Sequence, residues 1–343
     1  MGGRTPGGSE RPHRDASVKA WIKLLISAGL LALLFVLLPW RDVWTALTRL
    51  PPGTWIAVLL GFLAGHALGV LKWQLVVNAG RASLAVLDAV MCYGAGLFAN
   101  MCLPSLVGGD VLRAALVSML TRRPEAALFG GVLDRVSDLA ALGVLVTVGG
   151  IAARHALPGW GAQALTVVIV VTLALGVVFL PLVLKRPLHR WPPRFRRRIG
   201  RSLVALRRLS RSPGTALAVF ALSLSIQASF VLLNAWLGRA IGITVPLSVW
   251  FLTWPLAKAA SLLPISLGGL AVREATLAGL LLPFGVPAAL GVVASLLWQT
   301  VLIVGGLFGG LMWWALSRRA SVSTRTGRRV SMLSLGGASR PHA

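Results

Sequence analysis

Two copies of one short pattern carry much of the ionisable chemistry in this chain: LPSLVGGDVLRAA at 103–115 and LPISLGGLAVREA at 263–275. Proline after leucine ends an incoming helix, because it has no amide donor and restrains the residue before it. Gly108-Gly109 and Gly268-Gly269 then permit a tight turn and close backbone approach. A new helix starting near Asp110 and Leu270 would present free amides, which attract anions. Arg113 and Arg273, one turn further in, would add a full positive charge and a forked donor set suited to phosphate. Asn100, just before the first motif, can cap that helix, line the site or hold helices together. Lys258, shortly before the second Leu-Pro pair, can join the site, snorkel or pair with Glu274.

Acids stand close by. Asp110, Asp134, Asp138 and Glu274 all fall in apolar segments, and Asp134 and Asp138 share a helix face with Arg135 beside them in LDRVSDLAAL. An ionisable side chain in a membrane costs at least ~2.5 kcal/mol on insertion scales, so each needs a reason to be there. Two reasons stay open: charge balance or proton coupling for a bound substrate, and structural pairing with the arginines. Nothing else resembles a reaction centre. Cys92 and Cys102 make no metal site, no HExxH or phosphate-binding loop appears, and neither metal nor cofactor is expected. An enzyme is therefore not expected.

The elements that must position these residues cross a membrane. Hydrophobic residues make up 56% and charged residues 13%, with a mean hydropathy of +0.81. A soluble chain carries about a quarter charged residues. A helix needs ~20 apolar residues to span the hydrocarbon core. Such runs occur at 22–40, 54–77, 84–103, 126–151, 160–184, 215–237, 247–263 and 287–316, with shorter stretches at 104–120 and 264–282. The first run has no small-x-small cleavage site and reads as a retained helix. Trp40, Trp55, Trp160, Trp191, Trp313 and Trp314 sit near run ends, as interfacial tryptophans do.

The net charge of +25 is concentrated before residue 24, in 185–212 and after 317; the middle loop alone holds eleven Lys/Arg and no acid. Basic loops stay cytoplasmic and meet anionic headgroups. No reader domain for nucleic acid accompanies them.

The chain also repeats itself. Besides the two motifs, PGTWIAV at 52–58 matches PGTALAV at 213–219, Gly131-Val132 matches Gly291-Val292, and Gly149-Gly150 matches Gly309-Gly310. The offset stays at 160–161 throughout. With the basic segments cytoplasmic, the first motif pair must start and finish inside and the second outside. The expectation is an all-α membrane protein of two inverted repeats, each helix, helix, broken hairpin, helix. Inverted repeats with broken helices are the architecture of alternating-access transporters. The divisions are a basic tail 1–21, a membrane repeat 22–184 with core 52–151, a basic loop 185–212, a second repeat 213–316 and a disordered tail 317–343.

The segments GLFANMCLPSLVGGDVLRAALVS, GVLDRVSDLAALG and LLPISLGGLAVREA resemble the transmembrane region of lysylphosphatidylglycerol synthases, also called the flippase-like membrane family. The resemblance spans about 20 to 316. It implies a lipid translocase, moving an anionic phospholipid or polyprenyl-phosphate lipid, while the basic tails and loop place both termini in the cytoplasm and suggest a plasma (inner) membrane. The full synthases add a cytosolic aminoacyl-transfer domain. Here 27 residues follow Leu316, so this chain is not expected to make the lysyl-lipid itself. Two alternatives accompany that reading: a membrane-embedded polyprenyl-phosphate glycosyltransferase, for which Asp42 is the acid placed outside, and an accessory subunit of a lipid-synthesis enzyme.

Overall fold

The computed structural model describes residues 40–102, 108–154, 212–261 and 271–336, with side chains given to 318. Most of the run 22–40, the run 160–184, nearly all of the basic loop, the Asp42 side chain, both Leu-Pro breaks, Gly268 and Gly269 lie outside them. The described residues are helical apart from short connections, and none of them forms a strand. In order they form α1 (Trp40–Arg49), α2 (Pro52–Ala79), α3 (Val86–Cys102), α4 (Gly108–Thr121), α5 (Pro124–Ala153), α6 (Pro213–Ala240), α7 (Leu247–Ser261), α8 (Val272–Leu281) and α9 (Ala288–Gly336). A 3-10 turn, Leu282–Phe284, closes α8.

Among the described residues, four helices are long and apolar enough to cross a membrane: α2, α5, α6 and the Ala288–Arg318 part of α9. Three of them open on proline (Pro52, Pro124, Pro213), and Pro287 immediately precedes the fourth. Proline suits the first turn, where its missing amide has no partner to lose and its φ is already helical. The helix α9 continues to Gly336, past residue 316 where the sequence reading ends the membrane segment. No proline interrupts 317–336, so nothing covalent stops the helix there.

The surface is apolar and the interior holds the charge. On α5, Val132, Val136, Leu139, Val148 and Ile151 are exposed, while Asp134, Ser137, Ala141 and Gly149 are buried. A bilayer demands this arrangement, since polar groups must find partners inside the protein.

The helix pairings carry the internal duplication. The pairs α3–α9 and α5–α7 pack most extensively, followed by α2–α6. Then α3–α4 matches α7–α8, α4–α5 matches α8–α9, and α2–α3 matches α6–α7. Exchanging α2 with α6, α3 with α7, α4 with α8 and α5 with α9 maps these contacts onto themselves. At the centre, α2 and α6 run antiparallel: Gly61 lies against Leu233, Gly65 against Phe230, and Lys72 Nζ reaches Ser223 Oγ at 3.1 Å. Their crossing falls near Ala67 and Ala228, which the repeat offset of 161 equates. The glycines on α2 let the helices approach closely, as small residues do in membrane bundles.

Glycines also set the two largest joints. A Cβ on Gly94 of α3 would lie 2.6 Å from the Gly309 carbonyl oxygen of α9. In the matching joint, a Cβ on Gly149 of α5 would lie 2.5 Å from the Phe251 carbonyl carbon and 2.6 Å from the Leu252 nitrogen of α7. Pro255, buried within α7, cannot donate to the Phe251 carbonyl one turn back.

Candidate functional site

Where the halves meet, four helices, α2, α4, α5 and α7, turn charged groups toward a cavity of about 160 Å³. Arg113 of α4, 6% exposed, is its most heavily partnered cation. Its Nη2 donates to Asp110 Oδ1 at 3.0 Å and to Asp134 Oδ2 at 2.9 Å. The guanidinium lies over Trp73, 4.6 Å from the ring centroid, and 5.1 Å from that of Tyr93. Aromatic faces attract a desolvated cation, so α2 and α3 supply a seat while α4 and α5 supply the counter-charges.

Lys72 of α2, 2% exposed, joins the halves. Its Nζ stands 2.8 Å from Asp134 Oδ1 and 2.5 Å from Asp138 Oδ1. Its bond to Ser223 of α6 extends to Ser137 of α5, since Ser223 Oγ donates to Ser137 Oγ at 3.0 Å. Asp134 thus bridges Arg113 and Lys72, fixing α2, α4 and α5 together. Arg135, with its side chain 44% exposed, closes on Asp110 Oδ2 at 2.6 Å from Nη2. His66 Nδ1 and the Tyr93 hydroxyl lie 3.1 Å apart on the cavity wall. From α7, Lys258 Nζ donates to Gln227 Oε1 at 2.7 Å and sits 5.5 Å from the Phe230 ring centroid. This neutral partner replaces the pairing with Glu274 that the sequence allows.

Gly108 and Gly109 open α4, and Gly109 N–H donates to Asn100 Oδ1 at 3.0 Å. Asn100 therefore caps that helix as well as lining the cavity. A Cβ on Gly109 would collide with the Gly96 carbonyl and the Asn100 side chain, so the glycine keeps α3 and α4 in backbone contact.

Arg273 does not reach this cavity. Its Nε donates to Ser295 Oγ at 3.0 Å, and its Nη2 donates to Glu274 Oε1 at 2.7 Å and to Gln299 Oε1 at 2.9 Å. Glu274 is 2% exposed, and its Oε2 has no hydrogen-bond partner among the described residues. The two motif arginines, symmetric in sequence, therefore occupy separate clusters.

The asymmetry follows from their surroundings. GVLDRVSD at 131–138 matches GVVASLLW at 291–298, so Ala294 and Trp298 stand where the first half has Asp134 and Asp138. Trp254 comes from α7, the counterpart of α3. Trp254 and Trp298 pack edge to face, with centroids 5.4 Å apart, and both are buried. Indoles fill the space that the first half leaves open and charged.

Among the described residues, no group of three or more His, Cys, Asp or Glu could hold a metal ion. The carboxylates are committed to cations, and the site's open chemistry is recognition by charge and hydrogen bonds. Lys72, His66, Tyr93 and Gln227 did not emerge from the motif reading. The lone Lys and His interrupting the apolar run 54–77 are the signal that marks two of them.

The family model described as the lysylphosphatidylglycerol synthase TM region matches residues 20–310. No curated protein and no solved structure matches the chain.

Proposed function

We propose, from the premise that the chain belongs to the lysylphosphatidylglycerol synthase TM region family, that it moves an anionic, phosphate-bearing lipid between leaflets. The observation that carries this is the charged cavity at the joint between two matching halves. Counting ~1.5 Å per residue from the start of α5, Asp134 lies ~15 Å deep, near the middle of a ~30 Å hydrocarbon core. A packing network does not need a cavity there, whereas a headgroup crossing the bilayer does.

The antiparallel crossing of α2 and α6 at equivalent positions supports the inverted-repeat reading. The clustering of basic residues supports cytoplasmic termini in a plasma (inner) membrane. A headgroup would enter beside Arg135, the most exposed of the cavity's ion-paired cations, while its acyl chains stay against the apolar outer face. Rocking of one half against the other would then offer the cavity to each leaflet in turn. Ion pairs among Lys72, Arg113 and the three aspartates would hold the wall rigid during the exchange. In this reading the chain is a carrier and makes or breaks no covalent bond.

The test is transbilayer movement of acyl-labelled phosphatidylglycerol in proteoliposomes. The purified full chain is expected to raise the rate well above that of protein-free vesicles. Equal rates with correctly inserted protein would contradict the proposal.

A further inference from the structure

We propose that the cavity is a site for one negative charge, set by Lys258, and so takes a lipid headgroup that is a monoanionic phosphodiester. This deepens the translocation reading and rests on it. The charge inventory is the starting point. Among the described residues, four cations line the cavity (Lys72, Arg113, Arg135 and Lys258) and face three carboxylates, those of Asp110, Asp134 and Asp138. One positive charge is left in excess.

The geometry says which charge it is. Lys72 meets two carboxylates, Arg113 meets two and Arg135 meets one. Lys258 has no ion pair among the described residues and spends one of its three donors on neutral Gln227. The Phe230 face offers it only a quadrupole. A cation held away from water without a counter-ion is unfavourable, and an incoming anion relieves that. One phosphodiester charge balances the site. A diphosphate would bring at least one charge too many, with the carboxylates already paired.

Size points the same way. The cavity, at about 160 Å³, compares with engineered cavities of ~150 Å³ that admit benzene, room for a phosphate and a few further atoms. The site is also single. In the repeat, Lys258 falls at Leu97 or Phe98, both apolar, and among the described residues Trp298 and Trp254 close the matching space in the other half.

The experiment measures which lipids the purified full chain retains and is stabilised by. The competitors are phosphatidylglycerol, net-neutral phosphatidylcholine, a polyprenyl diphosphate and inorganic phosphate alone. A charged hydrogen bond gained on binding corresponds to a preference of about 10- to 100-fold for phosphatidylglycerol over phosphatidylcholine. Lys258→Gln should bring the two lipids level, and Lys258→Arg should keep the preference. The wild-type chain should also favour phosphatidylglycerol over the diphosphate lipid, a comparison that requires no variant to fold. Three results would overturn the inference: a preference intact in Lys258→Gln, a preference for the diphosphate lipid, or equal stabilisation by inorganic phosphate. Translocation of phosphatidylglycerol alongside any of these spares the function proposed above. Absence of translocation for every lipid removes that function instead.

Discussion

Asp134→Asn is expected to cost about 3 kcal/mol of stability, measured as loss of folded protein on denaturant titration in detergent. Asp134 serves two buried cations at once, Arg113 at 2.9 Å and Lys72 at 2.8 Å, and so ties α5 to both α4 and α2. Breaking a buried ion pair leaves an uncompensated charge, and the usual cost is ~3–5 kcal/mol. The lower end applies because Asp110 still faces Arg113 and Asp138 still faces Lys72. Arg135→Gln provides the contrast. Its pair with Asp110 is half open to its surroundings, so a loss within about 1 kcal/mol is expected. Equal, small effects from both substitutions would show that the network does not hold the helices together.

Gly309→Val and Gly149→Val are each expected to destabilise by about 3 kcal/mol, the top of the range for overpacking a close-packed joint. What a side chain would meet at these positions is chiefly backbone, which cannot rotate aside. At Gly309 the nearest atom is the Gly94 carbonyl oxygen, 2.9 Å from an added Cβ, and at Gly149 it is the Phe251 carbonyl carbon at 2.5 Å. Both joints connect one half to the other, so the loss falls on their association. Gly131→Val is the control on the same helix as Gly149. Nothing lies within 4 Å of a Cβ there, and a change within about 0.5 kcal/mol is expected. Thermal unfolding of the three variants decides the matter, and a Gly131 effect as large as the others would remove the explanation.

These glycines show what the sequence displayed and what it hid. Gly149-Gly150 and Gly309-Gly310 were visible as anchors of the repeat, but a repeat offset does not say what a glycine touches. The bundle of apolar helices was legible because lipid-facing and buried apolar residues both lengthen a hydrophobic run. The same uniformity hides direction, so no periodicity told which face of α5 carries Asp134 inward. The Arg113 neighbourhood was partly legible, since Asp110 and the Asp134–Asp138 pair stand out in apolar sequence. Its partners Trp73, Tyr93 and Lys72 arrive from α2 and α3 and needed three dimensions.

The symmetric pairing of Arg113 with Arg273 shows a different gap. The motif repeats, but its surroundings do not. Ala294 and Trp298 replace the two aspartates, so the second arginine turns to Ser295, Glu274 and Gln299. A motif match reports a shared backbone course, whereas a site depends on what the neighbouring helices offer.

The most direct test of the cavity as the lipid path is the proteoliposome rate for phosphatidylglycerol in wild type and Ile226→Trp. Ile226 lines the cavity and bears no charge, so an indole there fills the space with every ion pair kept. The expected result is transport by the wild type and a fall to the protein-free rate in Ile226→Trp, with the variant still folded and inserted. Transport at the wild-type rate through a filled cavity would contradict the assignment and place the lipid path elsewhere on the protein.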